Sequence, residues 1–537
     1  MELPHSDVGR PCARNQNGEM WRTPCRMSRE FLLPALFLLI LFCGEMQAQN
    51  TTIIGVTQLR LTEPALIGTG VSVAQPEAAI GNAWQVSPAA TGQPVSLFIY
   101  QTSAGTATTF PNAVGEESGH ADLVGDIFYG KTNAATPEGV APGVAKVYSY
   151  DANFFYGSRI ATLTSISAKV VNQSFIYGGQ NTTVDQRYDL YAATYNTVFV
   201  SGVGNGGAPN SPATSFNNIG VGAYGGSSSV GPTTDGRCKP DISAPAGETS
   251  YATPLVAGAA TLLVQAALRG DGGTPTADAA DLRTIKALLL NGTNKPSDWR
   301  HTPTVPLDLR HGAGVVNVLR SHDQLKGGKH APGGTFTTAA SLRGWAKTAI
   351  TGNPLAVHHY TFTLSPSLGS HYDVSATLVW NRNANETAIK NLDLALYDTA
   401  TGAPVLDGVS TSAVDNVEHL WRLALPPGTY DLRVIKNATS GLLVPDETYA
   451  LAFRFTPQAP PGVRITKFPQ GADPQVTFVA PGGLAFRVEA KYAADDAVTP
   501  WITVASGTTH ASGTTVISDP ATLGQQGRFY RVVLSYP

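Results

Sequence analysis

Apolar residues recur with helical spacing near the middle of the chain and predict one long buried helix. They follow one another at intervals of one, three and four residues: Leu255, Val256, Ala259, Leu262, Leu263 and Ala266. Residues at these intervals share one face of an α-helix. Pro254 belongs in the first turn, where its missing backbone N–H costs little. The helix is therefore expected to begin at Thr249–Ser250.

Strands and helices alternate on both sides of this helix. Val71 and Val73 alternate as in a buried strand, and Glu77 arrives at the carboxyl end of that strand. Thr276–Leu290 carries apolar residues on one helical face and is expected to stop at Asn291–Gly292. This alternation predicts an α/β domain with a mainly parallel sheet, which we place at 49–325.

The pattern changes after Lys326–Thr335, a stretch rich in Gly and Lys that has the composition of a linker. Short strands separated by turn residues follow: Tyr372–Trp380, Leu392–Tyr397, Glu418–Ala424, Thr429–Val434 and Tyr449–Phe455. They predict an all-β sandwich over 336–457. Beyond a Pro-rich hinge at Pro457–Pro461, we expect a second, small β module over 462–537.

The N-terminal residues have the features of an export signal. The apolar run Phe31–Phe42 is preceded by Arg26 and Arg29 and is too short for a comfortable membrane span. Small and polar residues follow it, so we expect cleavage near Ala48 and interpret 1–48 as an N-terminal extension with a signal peptide. The mature protein is then expected to be secreted or extracytoplasmic, with no membrane span.

Cysteine usage agrees with this interpretation. Cys12, Cys25 and Cys43 lie in the predicted extension, so the mature protein keeps Cys238 alone. A single cysteine supports no disulfide framework, and Cys238 is expected to be a small core residue.

Charge and ligand types limit the partners. Charged residues make up 14% of the chain and its net charge is −3, which argues against nucleic acid or an anionic membrane as a partner. We predict no cofactor. Asp393 and Asp398 have the residue type of Ca²⁺ ligands, but without a dense oxygen-ligand loop they are more typical of turns. The sequence leaves the oligomeric state open.

Ser250 is the first candidate for chemistry. A serine at a helix N-terminus lies at the positive end of the helix dipole, beside first-turn N–H groups that have no intrahelical partner. Those features stabilise negative charge that develops on an attacked carbonyl oxygen. The alternative is that Ser250 is an ordinary N-cap, a role in which serine is common.

The surrounding residues carry a family resemblance. Lys-Pro-Asp-Ile-x-Ala-Pro at Lys239–Pro245 is followed by Gly-x-Thr-Ser-x-Ala-Thr-Pro-x-Val-Ala-Gly at Gly247–Gly258. Together they resemble the nucleophile segment of subtilisin-like serine proteases, peptidase family S8. Glu248 stands where the family usually has glycine or another small residue, and Leu255 stands where histidine is frequent. The connection between the two parts is also much shorter than usual.

Further segments resemble the same family in chain order, over roughly residues 55 to 325. Ser118–Gly130 is similar to the segment whose first histidine is the general base, which implies that role for His120. An ungapped match from Gly70 to Glu77 implies that Glu77 takes the place of the family's aspartate. Thr197–Gly207 resembles the segment that supplies the oxyanion-binding asparagine, here Asn205.

The resemblance also implies where substrate binds. Lys169–Gly179 is similar to the strand that lines the family's cleft, where an extended peptide pairs with the backbone. We predict substrate contacts from four of its residues: Ser174, Phe175, Ile176 and Gly178.

Alternatives remain for two of these positions. Glu77 is otherwise a solvated carboxylate at a strand end, and Asp122 and Asp126 are then the next candidates for the acid. Asn205, between glycines, is otherwise an ordinary turn residue.

The resemblance implies a subtilisin-like three-layer α/β domain, followed by a jelly-roll-like sandwich and an immunoglobulin- or fibronectin-like module. The predicted function is a secreted serine endopeptidase with a Ser250–His120–Glu77 triad and an oxyanion site assisted by Asn205. Its partners are then protein or peptide substrates. Three other functions stay open: an inactive binding or scaffold protein at the cell surface, a non-proteolytic acyl-transfer enzyme, and a surface structural protein.

Overall fold

The computed structural model describes residues 50–537 except 132–137, 353–354, 384–388, 438–445, 459–462, 467–474, 481–483, 492–500, 511–513, 520–528 and 536–537. The predicted export signal and its cleavage point near Ala48 lie outside the described residues, as do three of the four cysteines.

An eight-stranded sheet organises the first part of the chain. Its strands in chain order are β1 (Ser72–Glu77), β3 (Phe98–Thr102), β4 (Gly105–Ala107), β6 (Lys146–Asp151), β7 (Val170–Gln173), β8 (Val198–Gly202), β9 (Ile219–Tyr224) and β10 (Ile242–Pro245). The spatial order is β10-β9-β8-β7-β1-β6-β3-β4, and all pairs are parallel except β3 with β4. Two short strands, β2 (Ala83–Gln85) and β5 (Glu116–Glu117), pair separately. The predicted α/β class with a mainly parallel sheet is confirmed.

Helices accompany this sheet. They are α1 (Val56–Thr62), α2 (Gly119–Tyr129), α3 (Ala152–Phe155), α4 (Thr182–Tyr195), α5 (Thr249–Leu268), α6 (Thr276–Ala279), α7 (Leu282–Asn291) and α8 (Val318–Lys326). The apolar pattern predicted α5 with its start at Thr249, and the structure has it there. By contrast, the single helix predicted over Thr276–Leu290 is wrong. It is divided because Asp281 is the extended N-cap of α7, with its carboxylate accepting a hydrogen bond from Arg283 N–H at 3.0 Å.

Helix α5 is a core helix. Among the described residues it alone is long and apolar enough to cross a membrane, with a mean hydropathy of 1.5, but 89% of that stretch is buried inside the protein. Gly258 allows its close packing, since a Cβ there would lie 2.3 Å from Val140 Cβ. This burial explains the nearly continuous run of Ala, Leu and Val along the helix.

The second part is a sandwich of two sheets. One contains β11 (Thr335–Phe336), β13 (Val357–Leu364), β18 (Gly428–Lys436), β15 (Leu392–Asp398) and β16 (Pro404–Ser410), in that spatial order. The other contains β12 (Arg343–Ile350), β19 (Glu447–Gln458), β14 (His371–Trp380) and β17 (Val417–Leu425). Aromatic and aliphatic side chains from both sheets form one core between them. The prediction of all-β structure after the α/β part is confirmed.

The sandwich packs directly on the α/β part. Helix α7 contacts β14 and β19, and the core of the first part includes Trp345, Val379, Val417, Ala450 and Ala452 of the sandwich. Polar contacts cross the same boundary, because Asn217 exchanges hydrogen bonds of 2.9 Å with the backbone of Arg382. The backbone N–H of buried Cys238 also donates to Asp415 Oδ1 at 2.8 Å.

The segment predicted to be a linker lies against both parts. Its first residue, Lys326, ends α8, and Lys329 forms an ion pair of 2.7 Å with Asp278. A short bridge also pairs Lys329 with Trp345 of β12.

The chain closes with two three-stranded antiparallel sheets. Their strands are β20 (Val463–Thr466), β21 (Gln475–Val479), β22 (Ala485–Lys491), β23 (Ile502–Thr508), β24 (Thr514–Ser518) and β25 (Phe529–Ser535). The orders are β20-β21-β24 and β23-β22-β25, around a small core that includes Phe478 and Phe486.

Candidate active site

The candidate residues gather where parallel strands end. Glu77 is the last residue of β1 and pairs in register with Asp151, the last residue of β6. Functional groups of open parallel sheets collect at this carboxyl edge. Glu77 is 3% exposed, so it is not the solvated strand-end carboxylate of the alternative interpretation.

His120 meets Glu77 directly. It is the second residue of α2, whose start is fixed by the N-cap Ser118, with Ala121 N–H donating to Ser118 Oγ at 3.3 Å. His120 Nδ1 lies 2.6 Å from Glu77 Oε1. A distance this short is typical of a charge-assisted hydrogen bond, with Nδ1–H donating to the carboxylate. The structure therefore brings two of the predicted triad residues together.

Each partner changes the pKa of the other. The hydrogen bond that His120 donates to Glu77 raises the pKa of His120, against the opposing effect of burial, and the charges of Glu77 and Glu248 add to that rise. Burial raises the pKa of Glu77, while the bond to His120 lowers it. The Oε2 atom of Glu77 has no hydrogen-bond partner among the described residues. The contact with His120 is thus the main stabilisation of the Glu77 carboxylate.

The other two acidic candidates, Asp122 and Asp126, both follow His120 on α2. Asp122 Oδ1 accepts a hydrogen bond from Ser87 N–H at 2.6 Å, and burial together with Glu117 raises the pKa of Asp122 to about 7. Burial raises the pKa of Asp126 to about 6. Both lie on α2 beyond His120, and neither carboxylate shares a hydrogen bond or ion pair with it in the described part of the chain.

Gln75 is a residue that sequence reasoning missed. It lies on β1 two positions before Glu77 and is fully buried. Its Nε2 donates to Ala121 O of α2 at 2.9 Å, and its Oε1 accepts from Tyr129 OH at 2.6 Å. Strand periodicity gives a signal for it, because residues two apart share one face of a strand. Gln75 therefore fixes the His120 helix against the Glu77 strand.

Ser250 lies in the first turn of α5 but is not its N-cap. The N-cap is Glu248, in extended conformation, so the capping interpretation of Ser250 is wrong. The Ser250 hydroxyl donates to Ser174 O at 3.5 Å, and Ser174 Oγ donates to Ser250 O at 2.8 Å. No hydrogen bond joins Ser250 to His120 within the described residues. The imidazole lies beside the next residue instead, with ring centroids of His120 and Tyr251 6.0 Å apart.

Asn205 is held at the start of the same helix. Its Oδ1 accepts hydrogen bonds from Thr249 N–H at 2.9 Å and from Thr249 Oγ1 at 2.8 Å. Because the amide oxygen is occupied in this way, Nδ2 remains as a donor on an exposed side chain. Thr249, which the sequence analysis did not assign, sets this orientation. Gly204, at φ 104, provides the turn that follows β8.

The predicted substrate-contacting segment follows the end of β7. Ser174 and Phe175 are buried, whereas Ile176 is 44% exposed. Tyr177 N–H donates to Ser211 O at 2.8 Å, and Ser211 N–H donates to Gly179 O at 3.0 Å, so this segment is already paired on one side. Gly178, with φ 71, lies in the bend between these two bonds.

The predicted turn aspartates differ from each other. Asp398 ends β15 and accepts Ala400 N–H at 2.9 Å, as a turn residue does. Asp393 lies within β15 instead and accepts from Asn437 Nδ2 at 3.1 Å. Among the described residues, no three His, Cys, Asp or Glu side chains are grouped so that they could hold a metal ion.

Comparisons with known proteins find similarity to one family over part of the chain. The family model of the Subtilase family matches residues 99–314. A comparison with curated proteins gave no match. Among solved structures, proteases from Pseudoalteromonas arctica PAMC 21717 are 19% identical over 48% of this chain and 91% of that one, with a TM-score of 0.34.

Two further structures are similar to the chain. Tripeptidyl peptidase 2 is 13% identical over 78% of this chain and 52% of its own, with a TM-score of 0.32. The PatG macrocyclase domain is 15% identical over 51% of this chain and 95% of its own, with a TM-score of 0.37.

Proposed function

We propose that this chain, a serine-type peptidase with a Subtilase-family domain, is a secreted endopeptidase that acts through Ser250, His120 and Glu77. The observation that carries the proposal is the 2.6 Å contact between His120 Nδ1 and Glu77 Oε1. A buried acid that accepts from Nδ1–H leaves Nε2 as the nitrogen that takes a proton. Secretion rests on the apolar run Phe31–Phe42 and its preceding arginines.

The reaction begins at the Ser250 hydroxyl. Rotation of its side chain away from Ser174 O directs Oγ to His120 Nε2, which accepts the hydroxyl proton as Oγ attacks the scissile carbonyl. His120 then returns this proton to the leaving amine. Glu77 holds the imidazole in the required tautomer and stabilises the imidazolium. Water repeats the sequence on the acyl-enzyme, which releases the second product and restores the serine.

The oxyanion is stabilised at the start of α5. Asn205 Nδ2 is one proposed donor, since Thr249 holds the amide oxygen of Asn205. The Ser250 backbone N–H is the other, because a first-turn N–H has no partner within its helix. Both donors act where negative charge develops during attack, and the helix dipole adds to their effect.

A fluorophosphonate probe tests the nucleophile. It should label wild-type protein on the peptide that contains Ser250, and Ser250→Ala should abolish both labelling and cleavage of casein. His120→Ala should greatly reduce labelling because the hydroxyl loses its base. Labelling elsewhere, or undiminished cleavage by Ser250→Ala, would contradict the proposal.

One observation favours a second candidate, an inactive binding or scaffold protein. The Ser250 hydroxyl donates to Ser174 O rather than to His120. Folded wild-type protein that neither reacts with the probe nor cleaves any peptide would favour this candidate.

N-terminal sequencing of protein from the culture medium tests secretion. The sequence is expected to start near Gln49, and a start at Met1 would contradict secretion.

A further inference from the structure

Glu248 occupies a tightly fixed position two residues before Ser250. Only Ala246, Gly247 and Glu248 connect β10 to α5. The Glu248 carbonyl accepts hydrogen bonds from Tyr251 N–H at 3.1 Å and Ala252 N–H at 3.2 Å. Ser227 N–H donates to Gly247 O at 2.8 Å on the other side. The backbone at Glu248 is therefore held from both sides.

The Glu248 carboxylate is not used in holding the fold. The side chain makes no capping hydrogen bond, and Thr249 N–H is bound by Asn205 instead. Its side chain is exposed, and it has no ion pair or hydrogen bond within the described ranges of the chain. Glutamate is also not among the residues favoured at an N-cap. Neither stability nor capping explains the charge at this position.

Glu248 lies close to His120, because Tyr251 N–H donates to the Glu248 carbonyl at 3.1 Å and the Tyr251 ring centroid lies 6.0 Å from that of the imidazole. At this position its charge adds to the raised pKa of His120. In the proposed reaction His120 protonates the leaving amine, so the imidazole stands on the leaving-group side of the scissile bond. An exposed carboxylate on that side would be placed to face the first substrate residue after the bond. The interaction between the exposed Glu248 carboxylate and a charged substrate residue is modest in energy, and its sign depends on the charge of that residue.

We propose that Glu248 is a specificity-determining residue that favours substrates with Lys or Arg directly after the scissile bond and disfavours those with Asp or Glu there. This inference rests on the proposed endopeptidase function. The Glu248 carboxylate discriminates between substrates in two ways, because it attracts a cationic residue and repels an anionic one. The substrate class is thus peptides with a basic residue on the leaving side.

A matched set of fluorogenic peptides tests the inference. The peptides differ only in the residue after the cleaved bond, which is Lys, Leu or Glu, and kcat/KM is measured for each at low salt. The wild type should prefer Lys. In Glu248→Gln the Lys-to-Leu ratio should fall by about 2- to 5-fold, the scale of one exposed ion pair. In Glu248→Lys the preference should reverse in favour of the Glu peptide.

The control variant is Glu116→Gln, which removes an equal charge from an exposed residue of β5 and should leave these ratios unchanged. An equal change in all three peptides on Glu248→Gln would overturn the inference, because it would mean that Glu248 acts only by tuning His120. Unchanged ratios would overturn it as well.

The failure of the inference is distinguishable from failure of the proposed function. Wild-type protein that reacts with fluorophosphonate at Ser250 and cleaves the peptides, but whose ratios are insensitive to Glu248, contradicts only the role of Glu248. Wild-type protein without labelling or cleavage contradicts both.

Discussion

Burial and hydrogen bonding have opposite effects on the pKa of Glu77. Its side chain is 3% exposed and Oε2 has no partner among the described residues, so burial favours the protonated acid. The bond to His120 favours the carboxylate and at the same time raises the pKa of the imidazole. The extra methylene of glutamate is accommodated, since the carboxylate reaches Nδ1 at 2.6 Å.

Changes at Glu77 should be visible in both rate and pH dependence. Glu77→Gln should lower kcat by about 10⁴-fold, because an amide does not hold the same tautomer or stabilise the imidazolium. Glu77 raises the pKa of His120, and the proposed base works only when it is neutral. The acid limb of wild-type kcat/KM should therefore lie above pH ~6.5. In Glu77→Gln the limb should move to lower pH.

Glu77→Asp provides the matched comparison. The shorter side chain withdraws the carboxylate by about 1.5 Å, so activity should fall even though the charge is kept. Turnover that is unaffected by Glu77→Gln would refute the role of Glu77.

Asn205 and Thr249 form a second residue-scale test. Asn205→Ala should lower kcat by about 10²- to 10³-fold with little change in KM, the usual effect of losing one oxyanion donor. Thr249→Val removes one of the two hydrogen bonds that orient the amide and should reproduce a smaller part of that loss. A variant Asn205→Ala that raises KM and keeps kcat would instead indicate a binding or turn residue.

Contacts between secondary-structure elements fix the position of His120. Gln75 joins β1 to α2 through Ala121 O, one residue after His120. The motif resemblance predicted His120 and Glu77, but Gln75 and Thr249 act through partners 46 and 44 residues away. Such partners become visible only once the sheet order is known. The sequence does contain a signal for the break before α7, because Asp281 is a residue type favoured at an N-cap. The continuous apolar pattern over Thr276–Leu290 nevertheless predicted a single helix.

Gln75→Leu should reduce kcat more than KM. It leaves Tyr129 OH and Ala121 O without their buried partner, which costs about 1–3 kcal/mol of stability for each unpaired group, and it frees α2 to shift relative to Glu77. The histidine pKa, followed by NMR, should fall as the Glu77 contact lengthens. Gln265→Leu is the control: this buried glutamine of α5 bonds Ala65 O and Gly68 N–H instead. Equal effects of both variants on kcat would contradict a positioning role for Gln75.

At the scale of the whole molecule, a polar cluster joins the α/β part to the sandwich. Half-buried Lys295 donates through Nζ to Nε2 of buried His419 at 2.8 Å, and His419 Nδ1 lies 2.8 Å from Thr377 Oγ1. Burial lowers the pKa of His419 well below its usual value, and the charges of Lys295 and His301 add to this effect. Residues 124 positions apart meet here, so no local pattern predicted the contact, although strand patterns predicted the sandwich itself.

This cluster should make stability fall in mild acid. The pKa of His419 is lowered in the folded state, so below pH ~6.5 the unfolded chain binds a proton that the folded one does not. The free energy of unfolding should then decrease by up to about 1.4 kcal/mol per pH unit as pH falls from that value. His419→Gln should weaken the pH dependence of Tm. His359→Gln, an exposed histidine paired with Asp431, is the control, and equal slopes in both variants would contradict this assignment.

The core shared by the two parts affects any attempt to use the α/β part without the sandwich. Trp345, Val379, Val417, Ala450 and Ala452 are buried in the same apolar cluster as the helices behind the active site. A fragment cut after α8 would present the partners of those side chains to water. A fusion protein that contains only the first part would therefore expose an apolar surface that promotes association with other molecules. The sandwich is the natural cover of that surface, and the two should be moved as one piece.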